Sequence, residues 1–218
     1  MESEPPGRQV EPRVPLHRNL YVWGFIIGCV VITAMRPLLR HVPAPPPVLG
    51  RVPPYTLTDS GGLPFGSADL AGHVYVVNFF FTSCPSICPA LMRSMAKLQD
   101  RYGAERVEGI RLVSISVDPA NDTPTRLREY AAAVGADPNR WTLLTGSPGL
   151  IRAIVVDGFK TAMSEPGTQP PDLIDITHSG KLVLVDAEGG LRGYYDSDEM
   201  GLDEVFHRSQ HVLHEHDR

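Results

Sequence analysis

Two cysteines four residues apart carry the most concentrated chemistry in the chain. They lie in Phe80-Phe81-Thr82-Ser83-Cys84-Pro85-Ser86-Ile87-Cys88-Pro89, where an apolar run gives way to a helical pattern. At such a junction the first backbone N–H groups of the helix are free and the helix dipole favours negative charge. Thiolate is therefore favoured there, most of all at Cys84. Side chains four apart on a helix share a face, with Cβ atoms about 5–6 Å apart, a spacing that suits two sulfurs on one soft metal ion. It is wide for a disulfide, whose Cβ atoms sit at about 3.5–4.5 Å. Pro85 and Pro89 mark a helix start able to adapt, so a disulfide stays open. The plain alternative is two buried thiols acting as small apolar side chains. The strand end before them and the proline after each argue against it.

Other residues could join or influence this pair. His178 stands in Asp175-Ile-Thr-His178-Ser, just before the apolar run Lys181–Asp186. Taken alone, a loop histidine is more often merely solvated or structural. Asp118, ahead of Pro119, either acts on the thiols or a partner or is a turn residue. Asp122-Thr123-Pro124 reads as a helix cap with Pro at the first turn. Met92 and Met95 read as core. His207, His211, His214 and His216 make a histidine-rich tail, three of them on one helical face, expected to be a solvated terminal helix.

The elements that must position the cysteines follow from periodicity. Val74–Phe81 is a continuous apolar run of strand length, expected to be buried on both faces. Ile87, Leu91, Met95, Leu98 and Tyr102 form a helical stripe that Gly103 is expected to end. Ile110–Val117 is a second strand. A helix from Pro124 to about Val134 closes at Gly135, Trp141–Leu144 is a short strand, and a short helix opens at Ser147-Pro148 and reaches about Val156. Lys181–Asp186 and Leu191–Tyr195 flank a hairpin turn, and a last helix starts at Asp198. Tyr55–Thr58 and Leu63–Phe65 flank Ser60-Gly61-Gly62 as an accessory hairpin. A βαβ start, an antiparallel hairpin and a closing helix make an α/β, thioredoxin-like fold.

The N-terminal third is different. The chain has 218 residues, 21 of them proline, and eleven of these precede Tyr55. Residues 1–19 are a polar tail. Leu20–Met35 carries no charge and spans roughly 24 Å as a helix, against a ~30 Å hydrocarbon core. Snorkelling of Arg18 and Arg36 and continuation to Leu39 close the gap, so 20–39 is expected to be a single transmembrane helix. Two alternatives are a cleaved signal peptide, which lacks a good Ala-x-Ala site, and a lipobox at Ile26-Ile27-Gly28-Cys29. Residues 40–51 are a Pro-rich linker, extended and semi-rigid, and 52–218 the folded domain. A net charge of −5 without a block of basic residues excludes a nucleic-acid binder that works by phosphate neutralisation. Three cysteines exclude a disulfide framework.

Three separated segments, in order, resemble the SCO/SenC copper-chaperone family: Thr82-Ser-Cys84-Pro85-Ser-Ile-Cys88-Pro89, then Ser116-Val-Asp118-Pro119-Ala-Asn-Asp122-Thr123-Pro124, then Thr177-His178-Ser179 before a strand. The resemblance covers roughly residues 52–207, and an N-terminal membrane anchor also fits it. It implies that Cys84, Cys88 and His178 bind copper, with the two cysteines also serving as a redox dithiol. It further implies delivery of copper to the binuclear site of cytochrome c oxidase, or reduction of thiols there. Another copper protein is the alternative partner. Thiolates suit Cu(I), and an imidazole completes a three-coordinate site; Cu(II) is the other state to be weighed. Where thioredoxin-type oxidoreductases commonly carry a cis-proline facing the dithiol, this chain has Thr177-His178. The rival function is a thiol–disulfide oxidoreductase acting on exported protein cysteines. A structural zinc module lacks a fourth protein ligand. A redox-poised dithiol belongs in an exported compartment, which places the domain in the periplasm, with the mitochondrial intermembrane space as the alternative.

Overall fold

The computed structural model describes residues 20–39, 45–162, 174–175 and 180–216. The chain divides into two units, Met1–Pro43 and Ala44–Arg218. Among its described residues the first contains one helix, α1 (Leu20–Leu39), with Leu20, Tyr21, Phe25, Ile27, Val30 and Ile32 all exposed. Among the described residues no helix is long and apolar enough to cross a membrane.

The second unit alternates strands and helices. Its first half comprises β1 (Gly50–Arg51), β2 (Thr56–Asp59), β3 (Pro64–Gly66), β4 (Val74–Phe80), α2 (Ile87–Ala104), β5 (Ile110–Ser116) and α3 (Pro124–Val134). β6 (Trp141–Thr145) follows, then α4 (Pro148–Ala153), which widens into a π-helical turn, Ile154–Gly158. β7 (Thr161–Ala162), β8 (Ile174–Asp175), β9 (Lys181–Val185), β10 (Gly190–Asp196) and α5 (Glu199–His216) complete it. The main sheet runs β1-β10-β9-β4-β5-β6-β2-β3. β4, β5 and β6 are parallel; β9 is antiparallel to β4, and β10 to β9. With α2 crossing from β4 to β5 and α5 closing the fold, this is the thioredoxin-like layout. The hairpin β2–β3 extends the sheet through an antiparallel pairing with β6.

β4 is buried along its whole length because helices cover both faces of the sheet. Val74, Val76 and Phe80 pack into the core formed with α2 and α5. Tyr75, Val77 and Phe79 point the other way, toward Leu57, Ile151, Ile154 and Val155. Met92 and Met95 are core, as expected. The Met92 sulfur accepts from Asn78 Nδ2 at 3.5 Å, and both methionines are sealed from solvent.

Two boundaries differ from those read in the sequence. Gly103 does not end α2. The helix runs to Ala104, and the left-handed residue is Arg106 (φ 54), whose turn lets Val107 N–H close on Tyr102 O at 2.9 Å. The last residues of the Pro-rich segment are tied to the sheet. Leu49 N–H donates to Leu191 O at 2.8 Å, and Gly50–Arg51 pairs with β10.

Candidate metal centre

The two cysteines sit at the C-terminal end of β4, but not together on a helix. α2 begins at Ile87 with Ser86 as its N-cap, so Cys88 lies in the first turn and Cys84 lies before it. Pro85 explains this: the residue before a proline is pushed out of the α region, so Cys84 cannot join the helix. A tight turn brings the sulfurs together instead. Cys84 N–H donates to Phe81 O at 3.2 Å, and Cys88 N–H donates to Cys84 Sγ at 3.4 Å. Ser86 makes no side-chain cap, so the Cys84 sulfur accepts a helix N–H that would otherwise be unpaired. Both cysteines are free thiols.

This geometry separates the two thiols electrostatically. Burial alone would raise the Cys84 thiol. Hydrogen bonds from the Cys88 thiol, the Cys88 and Ser86 backbone and the Ser86 hydroxyl outweigh it and bring the pKa down to about 7. Cys88 is pushed up to about 12, first by burial, then by donating its proton to Cys84 and by the negative charges of Cys84 and Asp122. Near neutral pH the pair therefore shares one proton, with the charge on Cys84. Such a pair suits a soft, thiophilic cation that displaces the remaining proton, and equally a thiol–disulfide exchange begun by Cys84.

The loop is held from below by Asp122, which the sequence marks only as part of a helix cap. Asp122 is not the cap of α3. That role belongs to Thr123, whose hydroxyl accepts from Arg126 N–H, with Pro124 at the first helical position. The Asp122 carboxylate is fully buried and turned back under the cysteine loop. It accepts from Thr82 N–H at 3.0 Å, Thr82 Oγ1 at 2.5 Å and Ser116 Oγ at 2.5 Å. One carboxylate thus joins the ends of β4 and β5 to the entry of α3. Asp118 instead accepts from Asn121 Nδ2 at 2.8 Å, and its own N–H donates to Ser116 Oγ. It is a turn residue. Tyr130, stacked on Phe80 with ring centroids 5.5 Å apart, lies near enough to both thiols for them to raise its pKa, after burial.

His178 lies outside the described residues, as do Thr177 and Ser179. Two residues on, Gly180 lines the same small opening as Cys88, with Phe81, Ile87 and Val117. Gly180 has φ 57, a left-handed conformation that favours glycine, and a Cβ there would meet Ile87 Cδ1 at 2.9 Å beside the first turn of α2. The histidine tail makes ordinary contacts: His207 Nε2 lies 3.6 Å from Asp203, and His216 Nδ1 2.7 Å from Glu188. Among the described residues no group of three or more His, Cys, Asp or Glu side chains is arranged to hold a metal ion.

Comparison with known proteins converges on one group. The family model described as SCO1/SenC matches residues 48–214. The SCO1 protein homolog of Bacillus subtilis is 30% identical over 154 residues, covering 70% of this chain and 77% of its own. BsSco, described with its disulfide switch as a member of the Sco family of cytochrome c oxidase assembly proteins, superposes with a TM-score of 0.67 at 28% identity, covering 78% of this chain and 98% of its own. Copper-bound yeast Sco1 superposes with a TM-score of 0.57 at 26% identity, covering 73% of this chain and 87% of its own.

Proposed function

The chain belongs to the SCO1/SenC family, and from that premise we propose that it is a copper-binding metallochaperone. Its cargo is one Cu(I) held by Cys84, Cys88 and His178, which it delivers to the binuclear copper site of cytochrome c oxidase. The observation that carries this reading is the charge-separated pair at the end of β4, with Cys84 lowered to about 7 and Cys88 N–H resting on its sulfur. Two sulfurs with one proton between them favour a soft monovalent ion over a hard cation. Support for His178 comes from the backbone: Gly180 stands beside Cys88, and two residues of chain span at most about 7 Å. Copper-bound yeast Sco1 supports the cargo, and the description of BsSco supports the oxidase as destination.

We place the site on the outer side of a membrane, in the periplasm, with the uncharged run Leu20–Met35 as its anchor. The uncharged run Leu20–Met35 and its exposed apolar side chains support the anchor. Copper titration of the reduced protein tests the cargo: X-ray absorption should give two sulfur ligands and one nitrogen. Unchanged coordination and affinity in His178→Ala would remove the third ligand from the proposal. A reporter fused after Arg218 should be active only when exported, and mass spectrometry for a lipid on Cys29 separates a lipoprotein from a transmembrane anchor.

The second reading, maintenance of the acceptor's thiols by disulfide exchange, is favoured by the same low thiol at Cys84 and by the disulfide switch described for BsSco. Insulin reduction beside a thioredoxin control separates the two. A chaperone should turn insulin over slowly, and copper should protect both thiols from alkylation. Turnover at the thioredoxin rate without copper protection would make the oxidoreductase the primary function.

A further inference from the structure

The histidines of α5 lie outside the thiol site, and three of them share one face of an uninterrupted helix. Each helical residue turns the chain by about 100°, which puts His207, His211 and His214 within about 60° of one another. Leu202, Val205, Phe206 and Val212, which α5 buries, lie on the opposite side. His207 and His211 are four residues apart, so they are neighbours across one turn. That is the spacing by which a pair of helix-borne histidines holds one metal ion.

Both rings can offer a nitrogen lone pair. Arg101 Nη2 lies 3.4 Å from His207 Nε2. A guanidinium only donates, so that nitrogen presents a lone pair to it. Asp203 Oδ1, at 3.6 Å, is beyond hydrogen-bond distance. The His207 side chain is 57% exposed, which leaves it room to turn from Arg101 to an ion. His211 is half-buried, and its Nδ1 is sealed from solvent with no hydrogen-bond partner among the described residues. An incoming ion is therefore met by Nε2. Burial first, then the charges of Arg208, His207 and His214, hold the His211 pKa below the ordinary histidine value, so its ring is the free base near neutral pH. The surroundings do not repel a cation. Arg101 pairs with Asp203 at 2.8 Å and Glu105 at 3.5 Å, and Arg208 with Glu204 at 3.5 Å, so three carboxylates offset two guanidiniums.

We propose that His207 and His211 form a second metal site, for a borderline divalent cation whose shell is completed by water. Imidazole suits Cu(II), Ni(II) and Zn(II), and a given nitrogen site binds Cu(II) tightest of the three. Two side chains, fewer than a closed site provides, hold the ion at the surface, where it exchanges with solvent. The donor set is unlike that of the dithiol, and the proposal stands whatever Cys84 and Cys88 carry.

Electron paramagnetic resonance of Cu(II) tests it. The full chain in detergent micelles, with Cys29, Cys84 and Cys88 each replaced by Ser, is titrated with Cu(II). Equimolar metal should give a tetragonal spectrum split by imidazole nitrogen. Changes to outer partners alone cost metal sites about 10–100-fold, so His207→Asn and His211→Asn should each weaken binding at least about tenfold. His216→Asn should leave it unchanged, since His216 pairs with Glu188 instead. Circular dichroism should find all the variants equally helical, and Ni(II) and Zn(II), but not Mg(II), should compete. Absence of nitrogen-bound Cu(II), or undiminished affinity in the His207 and His211 variants, overturns the site. A loss in His214→Asn without one in His207→Asn overturns the assigned pair.

Discussion

Cys84 and Cys88 are chemically identical side chains in unlike surroundings, and the difference sets the reactivity of the pair. Both are buried, but Cys84 accepts hydrogen bonds at the start of a helix, whereas Cys88 donates. In the copper-free reduced protein, alkylation of Cys84 by iodoacetamide should therefore rise steeply as pH increases through about 7. Cys88 should stay unmodified to well above pH 8, because its thiol ionises only near 12. Peptide mapping by mass spectrometry reads both sites, and the reverse order would refute the assignment. Asp122 matters in a different way, by holding the loop. Asp122→Ala leaves the buried Ser116 hydroxyl and two half-buried Thr82 donors without their acceptor, and a buried unsatisfied group costs about 1–3 kcal/mol. A loss of about 3 kcal/mol in urea unfolding is expected, with weaker copper binding. Asp122→Asn keeps one oxygen and should lose less on both measures. Equal copper affinity in wild type and Asp122→Ala would show that the carboxylate does not position the thiols.

At the scale of the element, α2 and α3 start in different ways because they do different work. α3 has a complete set of stop and start signals: Thr123 at the N-cap, Pro124 behind it, and Gly135 at φ 74 beyond its end. Thr123→Ala should cost about 1 kcal/mol in urea unfolding and leave copper binding unchanged, since the cap touches neither thiol. A change in copper affinity would mean that α3 is coupled to the thiols through the adjacent Asp122. α2 lacks an oxygen cap, and its place is taken by the Cys84 sulfur. The helix start is thereby less well satisfied in the metal-free state than an ordinary one, in exchange for a thiolate held at the dipole. β4 supplies the rigid base. Both its faces are buried, so neither register nor pleat can slip under the loop it carries.

At the scale of the whole molecule, the folded domain begins in the proline-rich segment. A chain started at Val52 loses β1, the Leu49 N–H bond to Leu191 and the Pro46 acceptor of Arg192, and leaves the β10 edge open. With each net hydrogen bond contributing roughly 0.5–1.5 kcal/mol, it should be about 2 kcal/mol less stable than a chain started at Pro45. It should also self-associate more readily through the bare edge, which sedimentation would show. Equal stability of the two chains would mean that this segment is only draped on the sheet. The same edge fixes where the proline-rich segment joins the domain.

Much of this was legible along the sequence because the forces involved are local. Alternation and apolar runs gave the order of strands and helices, proline and glycine chemistry gave the limits of α3, and the Cys-x3-Cys spacing at a strand end gave a thiol site. Those patterns depend on neighbours within a turn or a pleat. The same locality misled at the cysteines, where helical spacing suggested a shared face and Pro85 instead bent the chain. Only tertiary structure could turn Asp122 from a cap into a clamp, because Thr82 is 40 residues away and nothing near Asp122 announces it. Only tertiary structure could join Pro46 to Arg192 across 146 residues and make the end of a linker into a strand. A buried polar group takes whichever partner the fold brings to it, and that partner is set by the closure of the sheet, not by the spacing of residues along the chain.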